Sequence, residues 1–302
     1  MTRRLLAPLG LAAVCALTCQ PPPQARRPAA AQPAAFVTLF SGGDFLPGVQ
    51  LLWYSLHRTS TAFPLLVMYT DEVDARALLA FARRVPGGTL ETARVAAIAN
   101  PYLRANSTNR YANVAAKLRV WQQRRYGVAV YIDADFLVLR SLDFLFEAVP
   151  NASLVGCPDA RGRKAAAAAP RANINSGLLV LRPDAAVFER MMRAWGTTAS
   201  YDHADQGFLN AFFGDAKVAL PASYVAMRRA EATDPRAFNL SCSLCLHFGG
   251  EKPWRSPQEG PGGFERFHTP RSLGVFLSFA RDFRREPWGD TLPPFYWDDH
   301  PP

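Results

Sequence analysis

Two aspartates stand one residue apart at the end of an apolar run, a spacing that suits metal binding. Asp133 and Asp135 follow directly after the segment Val128–Ile132. A short continuous apolar segment bounded by polar residues is typical of a strand buried on both faces of a parallel sheet. Ligands bind at the carboxyl ends of such strands in open α/β sheets. The pair is therefore predicted to bind a hard divalent cation and, with it, a phosphorylated substrate.

Two further charged residues fall on the apolar faces of predicted helices. Lys117 shares the apolar stripe of a helix predicted at residues 111–125, where it either extends along the helix edge to solvent or binds an anion. Asp205 lies on the apolar face of a helix predicted at 203–213. There it either complements the helix N-terminus, with Asp202 as the N-cap, or faces a ligand. The periodicity alone favours the first role for Asp205 and leaves Lys117 open.

Polar residues also accompany two predicted strands in the second half of the chain. His247 lies in a strand predicted at 244–248, where a lone histidine is most often a hydrogen-bonded structural residue. Gly250 and Lys252 follow, in either a simple turn with a solvated lysine or a loop that approaches a phosphate. Asn175 lies at the start of the strand predicted at 174–181. It belongs either to an ordinary turn or to a group of polar side chains that contacts sugar hydroxyls.

Strand-like and helix-like segments alternate from residue 35 onward, which predicts an α/β fold with parallel βαβ units. The chain of 302 residues is long enough for one large domain, and a hydrophobic fraction of 49% excludes a mainly disordered protein. Other predicted strands lie at 36–40, 64–69 and 128–132. Other predicted helices lie at 49–57, 73–84, 184–194 and 273–285.

The charge and the cysteines exclude several classes of function. The formal net charge of +9 comes almost entirely from arginines scattered along the chain without interleaved aromatic residues. This pattern indicates a solvated surface with some attraction for an anionic substrate, and we expect no nucleic-acid partner. The pair Cys242 and Cys245 lacks the second Cys or His pair of a structural zinc site, so we expect a structural or incidental role.

Residues 1–34 have the pattern of a targeting segment. Arg3 and Arg4 precede an apolar run to about residue 18, and a stretch rich in proline and alanine follows. We predict a cleaved signal peptide; a short membrane anchor with a Pro-rich stem and a plastid transit peptide are the alternatives. Asn-x-Ser/Thr sequences at Asn106, Asn151 and Asn239 are glycosylation sites if the protein is secreted.

Taken in order along the chain, these segments resemble glycosyltransferase family 8, the glycogenin-like and galactosyltransferase-like retaining enzymes. The resemblance runs from about residue 35 to 255. It is carried by Phe36-Val37-Thr38-Leu39 leading to Gly43-Asp44-Phe45-Leu46-Pro47-Gly48, by Ala116-Lys117-Leu118 with Trp121, by Tyr131-Ile132-Asp133-Ala134-Asp135, by Asn175-Ser176-Gly177, by Asp205-Gln206-Gly207 with Asn210, and by His247-Phe248-Gly249-Gly250-Glu251-Lys252-Pro253-Trp254.

The resemblance implies a GT-A fold, with a Rossmann-like nucleotide-binding sheet, helices on both faces and one catalytic domain at 35–302. It also implies a UDP-sugar donor, Mn²⁺ (with Mg²⁺ as the alternative) and retention of anomeric configuration. A glycan or glycoprotein acceptor follows from the absence of a tyrosine after Tyr224 in the segment where glycogenin glucosylates itself. The secretory pathway, either the Golgi lumen or the cell exterior, is the expected location.

The resemblance also assigns roles to individual residues. The metal ligands are Asp133, Asp135 and His247. Leu39, Ser41 and Phe45 are assigned to the nucleoside pocket, and Lys252 with Gly250 to the diphosphate. The donor sugar and the reaction centre are assigned four residues, namely Lys117, Asn175, Asp205 and Gln206. Ala134 and Ser176 are assigned to substrate contacts at adjoining positions. Phe45 departs from the tyrosine of many relatives, which keeps base stacking and loses a hydroxyl.

Two other functions compete with this assignment. A phosphatase of the haloacid dehalogenase type also places Asp-x-Asp after an apolar strand. In such phosphatases the residues Gly-Thr or Gly-Val usually follow the two aspartates, whereas here Phe136-Leu137 follows them. An inactive glycan-binding homologue would keep the fold alone. For the transferase, same-face attack with the leaving phosphate as base is favoured over a covalent intermediate on Asp205 or Gln206, because no carboxylate pair is dedicated to double displacement.

Overall fold

The computed structural model describes residues 33–103, 113–147, 153–159, 173–235, 238–255 and 269–299. Residues 1–32, which include most of the predicted targeting segment, lie outside this part of the chain, as do Asn106 and Asn151. Asn239 is described and its side chain is exposed, as a glycosylation site requires. No helix in the described ranges is both long and apolar enough to span a membrane.

A seven-stranded sheet forms the centre of the molecule, in the order β3-β2-β1-β4-β7-β6-β8. Most of its strands are short and almost fully buried, as the apolar runs predict. The strands are β1 (Ala34–Phe40), β2 (Leu65–Tyr69), β3 (Leu90–Arg94), β4 (Val128–Ile132), β6 (Leu154–Pro158), β7 (Ile174–Leu181) and β8 (Lys217–Ala219). A second sheet has the order β5-β10-β9 and contains β5 (Phe136–Val138), β9 (Val225–Met227) and β10 (Cys245–His247).

Helices cover both faces of the large sheet. The α-helices are α1 (Leu46–Arg58), α2 (Arg76–Arg84), α3 (Ala185–Ala194), α4 (Asp205–Phe213), α5 (Arg228–Thr233), α6 (Pro270–Arg284) and α7 (Tyr296–Asp299). Alternate residues of the central strands enter two separate hydrophobic cores: Val130 packs with α1, α2 and α6, and its neighbour Tyr131 packs with α3 and α4. The predicted arrangement with helices on both faces is confirmed.

The large sheet is mixed, whereas the alternation of strands and helices predicted parallel units. The four strands β1, β2, β3 and β4 are parallel to one another, but β7 runs antiparallel to both β4 and β6. Because β7 runs in the opposite direction, its first residues lie beside the carboxyl end of β4. Asn175 and Asp133 are thereby brought to the same edge of the sheet.

Two predicted helices differ from the structure in helix type or in N-cap. The segment predicted as a helix at 111–125 is a 3-10 helix, Val114–Gln122, whose i, i+3 spacing also keeps Lys117 on the buried side. The helix predicted from residue 203 begins at Asp205, with Ala204 as its N-cap. Asp202 is therefore not the N-cap, although its carboxylate still accepts the N–H of Gly207 at 2.8 Å.

Helix α1 packs unusually closely on the segment that joins the two sheets. A Cβ atom at Gly48 would lie 2.5 Å from the carbonyl oxygen of Ala134 and 2.6 Å from the ring of Trp254. Real Cβ atoms do not approach other atoms so closely. Only glycine therefore allows the first turn of α1 to contact the residue between the two aspartates.

We predict that Gly48→Ala lowers the free energy of unfolding by about 1–3 kcal/mol, because overpacking forces the backbone apart at Ala134. Gly274→Ala is the matched control, since a Cβ atom there meets nothing within 4 Å. Gly274 lies within α6, so this control is expected to gain about 0.5–1 kcal/mol. Urea unfolding of both variants measures the difference, and equal effects would contradict the close contact.

Candidate active site

The two aspartates lie at the junction between the two sheets. Asp133 follows the last residue of β4, and its N–H donates to the carbonyl oxygen of Gly177 in β7 at 2.8 Å. The hydroxyl of Tyr131 donates to Oδ1 of Asp133 at 2.9 Å. Asp135 precedes β5, and its carbonyl oxygen accepts the N–H of Phe248 at 2.9 Å. Both backbones are therefore fixed by neighbouring strands.

His247 joins the two aspartates from the end of β10. One ligand atom from each of Asp133, Asp135 and His247 lies within 4.8 Å of the others. The imidazole stacks on the ring of Phe136 at 4.2 Å, and β10 pairs with β5 so that these two residues are opposite each other. The two aspartates and a histidine distant from them in sequence thus lie together, as the resemblance implies.

The chemistry of this group fits a divalent cation. Oδ1 of Asp135 is buried without a hydrogen-bond partner, although Nε2 of His247 is 3.4 Å away. A buried carboxylate oxygen without a partner is costly unless something binds it. Two carboxylates with one imidazole suit ions such as Mn²⁺. The residues present therefore match the divalent metal site that is typical of GT-A enzymes.

Lys252 extends from the loop after β10 to the same site. Its ammonium forms a close ion pair with Oδ2 of Asp135 and also donates to the carbonyl oxygen of Phe248 at 3.2 Å. Burial raises the pKa of Asp135, but Lys252 and then His247 lower it by more, so its pKa lies well below the usual range. Gly250 has φ +93°, a conformation that favours glycine, and it allows the loop to turn back onto the site.

Lys117 is buried at the centre of the site and does not extend to solvent. Only 3% of the surface of Lys117 is exposed. Its Nζ lies 3.1 Å from Oδ1 of Asp133 and 2.8 Å from Oδ2 of Asp205. Desolvation lowers the pKa of Lys117, but the charges of Asp133 and then Asp205 outweigh it, and the net pKa is raised. The ammonium therefore joins β4 to α4 as a permanent cation.

Asp205 faces this ammonium and not the solvent beyond the helix end. The residue is 4% exposed and occupies the first position of α4. Burial raises the pKa of Asp133, with Lys117 opposing that effect and Asp135 adding to it. Two carboxylates, those of Asp133 and Asp205, thus share one lysine at this site.

The side-chain amide of Gln206 is held by four hydrogen bonds. Its Oε1 accepts from Nδ2 of Asn175 at 2.9 Å and from the N–H of Ser176 at 3.3 Å. Its Nε2 donates to Oδ2 of Asp159 at 3.2 Å and to the hydroxyl of Tyr201 at 2.8 Å. Because a backbone N–H only donates and a carboxylate accepts, these partners fix which end of the amide is oxygen.

The residues assigned to the nucleoside pocket lie at the carboxyl end of β1 and just beyond it. Leu39 is buried in β1, and Ser41 is half-buried, with its carbonyl oxygen accepting from Asn113 at 3.4 Å. The ring of Phe45 packs edge-on against Trp254 at 5.8 Å. Nζ of Lys252 lies 5.7 Å from the centre of the same ring, which connects these residues to the candidate metal-binding group of Asp133, Asp135 and His247.

Three residues that contact the site are missing from the sequence prediction. Tyr131 has a readable signal, since alternation along β4 places it on the same side as Asp133. Asp159 and Tyr201 have none, because they come from irregular segments and meet Gln206 through the fold. Ala134 lies between the two aspartates, and Ser176 donates its N–H to Gln206 and accepts from Nζ of Lys117 through its Oγ at 3.3 Å.

Known proteins with similar sequences are glycosyltransferases. The chain is 33% identical over 184 residues to UDP-glucuronate:xylan alpha-glucuronosyltransferase 2 of Arabidopsis thaliana, which covers 59% of this chain and 27% of that protein. It is 25% identical over 237 residues to galactinol synthase 1 of Solanum lycopersicum, and the match covers 73% of this chain and 74% of that protein. It is 28% identical over 230 residues to glycogenin of Neurospora crassa, and the match covers 72% of this chain and 31% of that protein. The resemblance to glycosyltransferase family 8 is confirmed.

Solved structures place this chain in the GT-A fold. The bifunctional glycosyltransferase WbbM superposes with a TM-score of 0.61 at 19% identity, over 89% of this chain and 52% of that one. The galactosyltransferase LgtC, in complex with donor and acceptor sugar analogs, superposes with a TM-score of 0.59 at 16% identity, over 87% of this chain and 99% of that one. No family model matches the sequence. The chain spans 27–37% of the length of the plant xylan glucuronosyltransferases that it matches.

We predict that Lys117→Met lowers the free energy of unfolding at pH 7 by about 3–5 kcal/mol, because it leaves two buried carboxylates without their cation. The difference in free energy of unfolding between the wild type and the variant becomes smaller as the pH falls from 7 to 5. The pKa of Asp133 is already raised and rises further without the ammonium, so the folded variant binds protons that the unfolded chain does not.

Lys217→Met is the matched control for this prediction. Lys217 is also buried, but its Nζ donates to backbone carbonyl oxygens, that of Gly214 at 2.8 Å and that of Asn210 at 3.4 Å. Its removal is expected to cost about 1–3 kcal/mol, with no change between pH 7 and 5. Urea unfolding at both pH values measures each deficit. A pH-independent deficit in Lys117→Met would contradict the shared-lysine arrangement.

Proposed function

We propose that this chain transfers a hexose or related sugar from a UDP-sugar to a glycan or glycoprotein acceptor, with Mn²⁺ as its cofactor and with retention of configuration. The observation that carries the proposal is the convergence of Asp133, Asp135 and His247 on one point, with Lys252 beside them. Glycosyltransferase relatives that include galactinol synthase and glycogenin support the reaction class.

The metal would be held by Asp133, Asp135 and His247. When bound, it neutralises charge on the departing nucleoside diphosphate, and Mg²⁺ is the alternative ion. Lys252 and Gly250 bind the diphosphate, since the ammonium already lies at the metal-binding group and the loop approaches it closely. Leu39, Ser41 and Phe45, at the end of β1, hold the nucleoside.

Lys117, Asn175, Asp205 and Gln206 orient the donor sugar at the reaction centre. Same-face attack, with the leaving phosphate as base, is favoured by two contacts. A carboxylate oxygen of Asp205 is 2.8 Å from an ammonium, which weakens it as a nucleophile. The amide oxygen of Gln206 already accepts two hydrogen bonds, which use its lone pairs.

An external acceptor and a secretory location complete the proposal. The pattern of residues 1–34 indicates targeting to the secretory pathway, so the Golgi lumen or the cell exterior is the proposed site of action, with residues 35–302 as the catalytic domain. The exposed Asn239 agrees with glycosylation there. The relatives give no support to a phosphatase.

We predict that the purified protein releases UDP from at least one UDP-sugar in the presence of Mn²⁺, and that Asp133→Asn and Asp135→Asn each reduce kcat/KM at least about 100-fold. Loss of a metal ligand removes several kcal/mol of charge stabilisation in the transition state. A panel of UDP-sugars, with and without candidate glycans, measures the rates at limiting Mn²⁺.

Asp184→Asn is the control, because Asp184 caps α3 away from the site and asparagine caps a helix equally well. Its turnover is expected to match that of the wild type. Unchanged turnover in either site variant would refute the metal assignment. Release of phosphate from phosphomonoesters without UDP release would favour the phosphatase, and no turnover with retained glycan binding would favour the inactive homologue.

A further inference from the structure

Tyr201 is an exposed aromatic residue attached to the reaction-centre amide. It is 45% exposed, and among the described residues only Val218 joins it as an exposed large hydrophobic residue. Its hydroxyl accepts from Nε2 of Gln206 at 2.8 Å and from Nδ2 of Asn210 at 3.4 Å. One end of the side chain is therefore fixed to α4, and much of the residue faces solvent.

The position of Tyr201 relative to Gln206 defines a side of the site. The oxygen end of the amide points to Asn175 and Ser176, next to Lys117 and the metal-binding group. The nitrogen end points to Asp159 and Tyr201. Tyr201 thus lies across Gln206 from the residues assigned to the donor sugar, on the side that is open to solvent.

We propose that Tyr201 is an acceptor-binding residue, whose ring supports the apolar face of an acceptor sugar while its hydroxyl positions Gln206. The proposal rests on the proposed transferase function and identifies one part of its acceptor site. A rigid aromatic ring with a polar end provides a large contact area, and its fixed hydroxyl limits the entropy lost on binding. The chemistry of this surface suits an oligosaccharide with flat, apolar ring faces.

The hydroxyl and the ring have separable effects. Tyr201→Phe keeps the ring and removes one partner of the Gln206 amide, so we expect kcat to fall about three- to tenfold with the acceptor KM within twofold of wild type. Tyr201→Ala also removes the ring, so we expect the same loss in kcat and an acceptor KM raised about tenfold. A residue that only stabilised the fold would change both parameters together in both variants.

The matched control is Val218→Ala. Val218 is 45% exposed and lies in β8, at the edge of the large sheet, a strand without site residues. Its removal is expected to leave kcat and the acceptor KM within twofold of wild type. Thermal unfolding of all three variants confirms that each is folded at the assay temperature.

The experiment combines kinetics with binding, using xylohexaose and cellohexaose as probes. Calorimetric titration of each probe into protein with Mn²⁺ and UDP measures affinity without turnover, and the kinetics use the UDP-sugar that releases most UDP. Weaker binding of a probe to Tyr201→Ala, by about tenfold, supports the proposal. Affinity within twofold of wild type, or no binding of either probe to the wild type, overturns it.

The two proposals fail in distinguishable ways. A wild-type protein that binds a probe through Tyr201 but releases no UDP from any UDP-sugar would refute the transferase and leave the binding surface. A protein that hydrolyses a UDP-sugar in water at an unchanged rate in Tyr201→Ala, with unchanged probe affinity, would keep the transferase and refute the role of Tyr201.

Discussion

A single buried ammonium, that of Lys117, connects the parts of the candidate site. It lies within 3.1 Å of Asp133 and 2.8 Å of Asp205, and it contacts Ser176 through both backbone and side chain. Without it, two carboxylates would be desolvated side by side. Because the lysine balances them, the end of β4 and the starts of β7 and α4 are able to meet at one point. The candidate metal ligands and the residues assigned to the donor sugar therefore have a common support.

The direction of β7 explains how residues from distant segments share that point. In an all-parallel sheet the start of β7 would lie at the opposite edge from the end of β4. The antiparallel strand instead brings Asn175 and Ser176 to Asp133, and the hydrogen bond from Asp133 to Gly177 fixes the register. Gly48 allows α1 to pack against Ala134 from the other side. The segment between the aspartates is thus held on two sides.

Much of this arrangement is readable from the sequence, and the failures have physical causes. Strands β4 and β7 match their predicted bounds, because long apolar runs between polar residues leave little ambiguity. The segment Val114–Gln122 was predicted as an α-helix, and an apolar stripe at i, i+3 fits a 3-10 helix equally well. The antiparallel β7 and the contacts of Gln206 with Asp159 and Tyr201 depend on tertiary packing, which no local pattern encodes.

The ion pair between Lys252 and Asp135 has a consequence for how the protein folds. Its partners are 117 residues apart, and the loop that carries Lys252 follows β10, which pairs with β5. Closing so long a loop costs entropy that only later contacts offset, and non-local pairing slows folding. The candidate metal-binding group is therefore expected to be among the last parts of the chain to assemble.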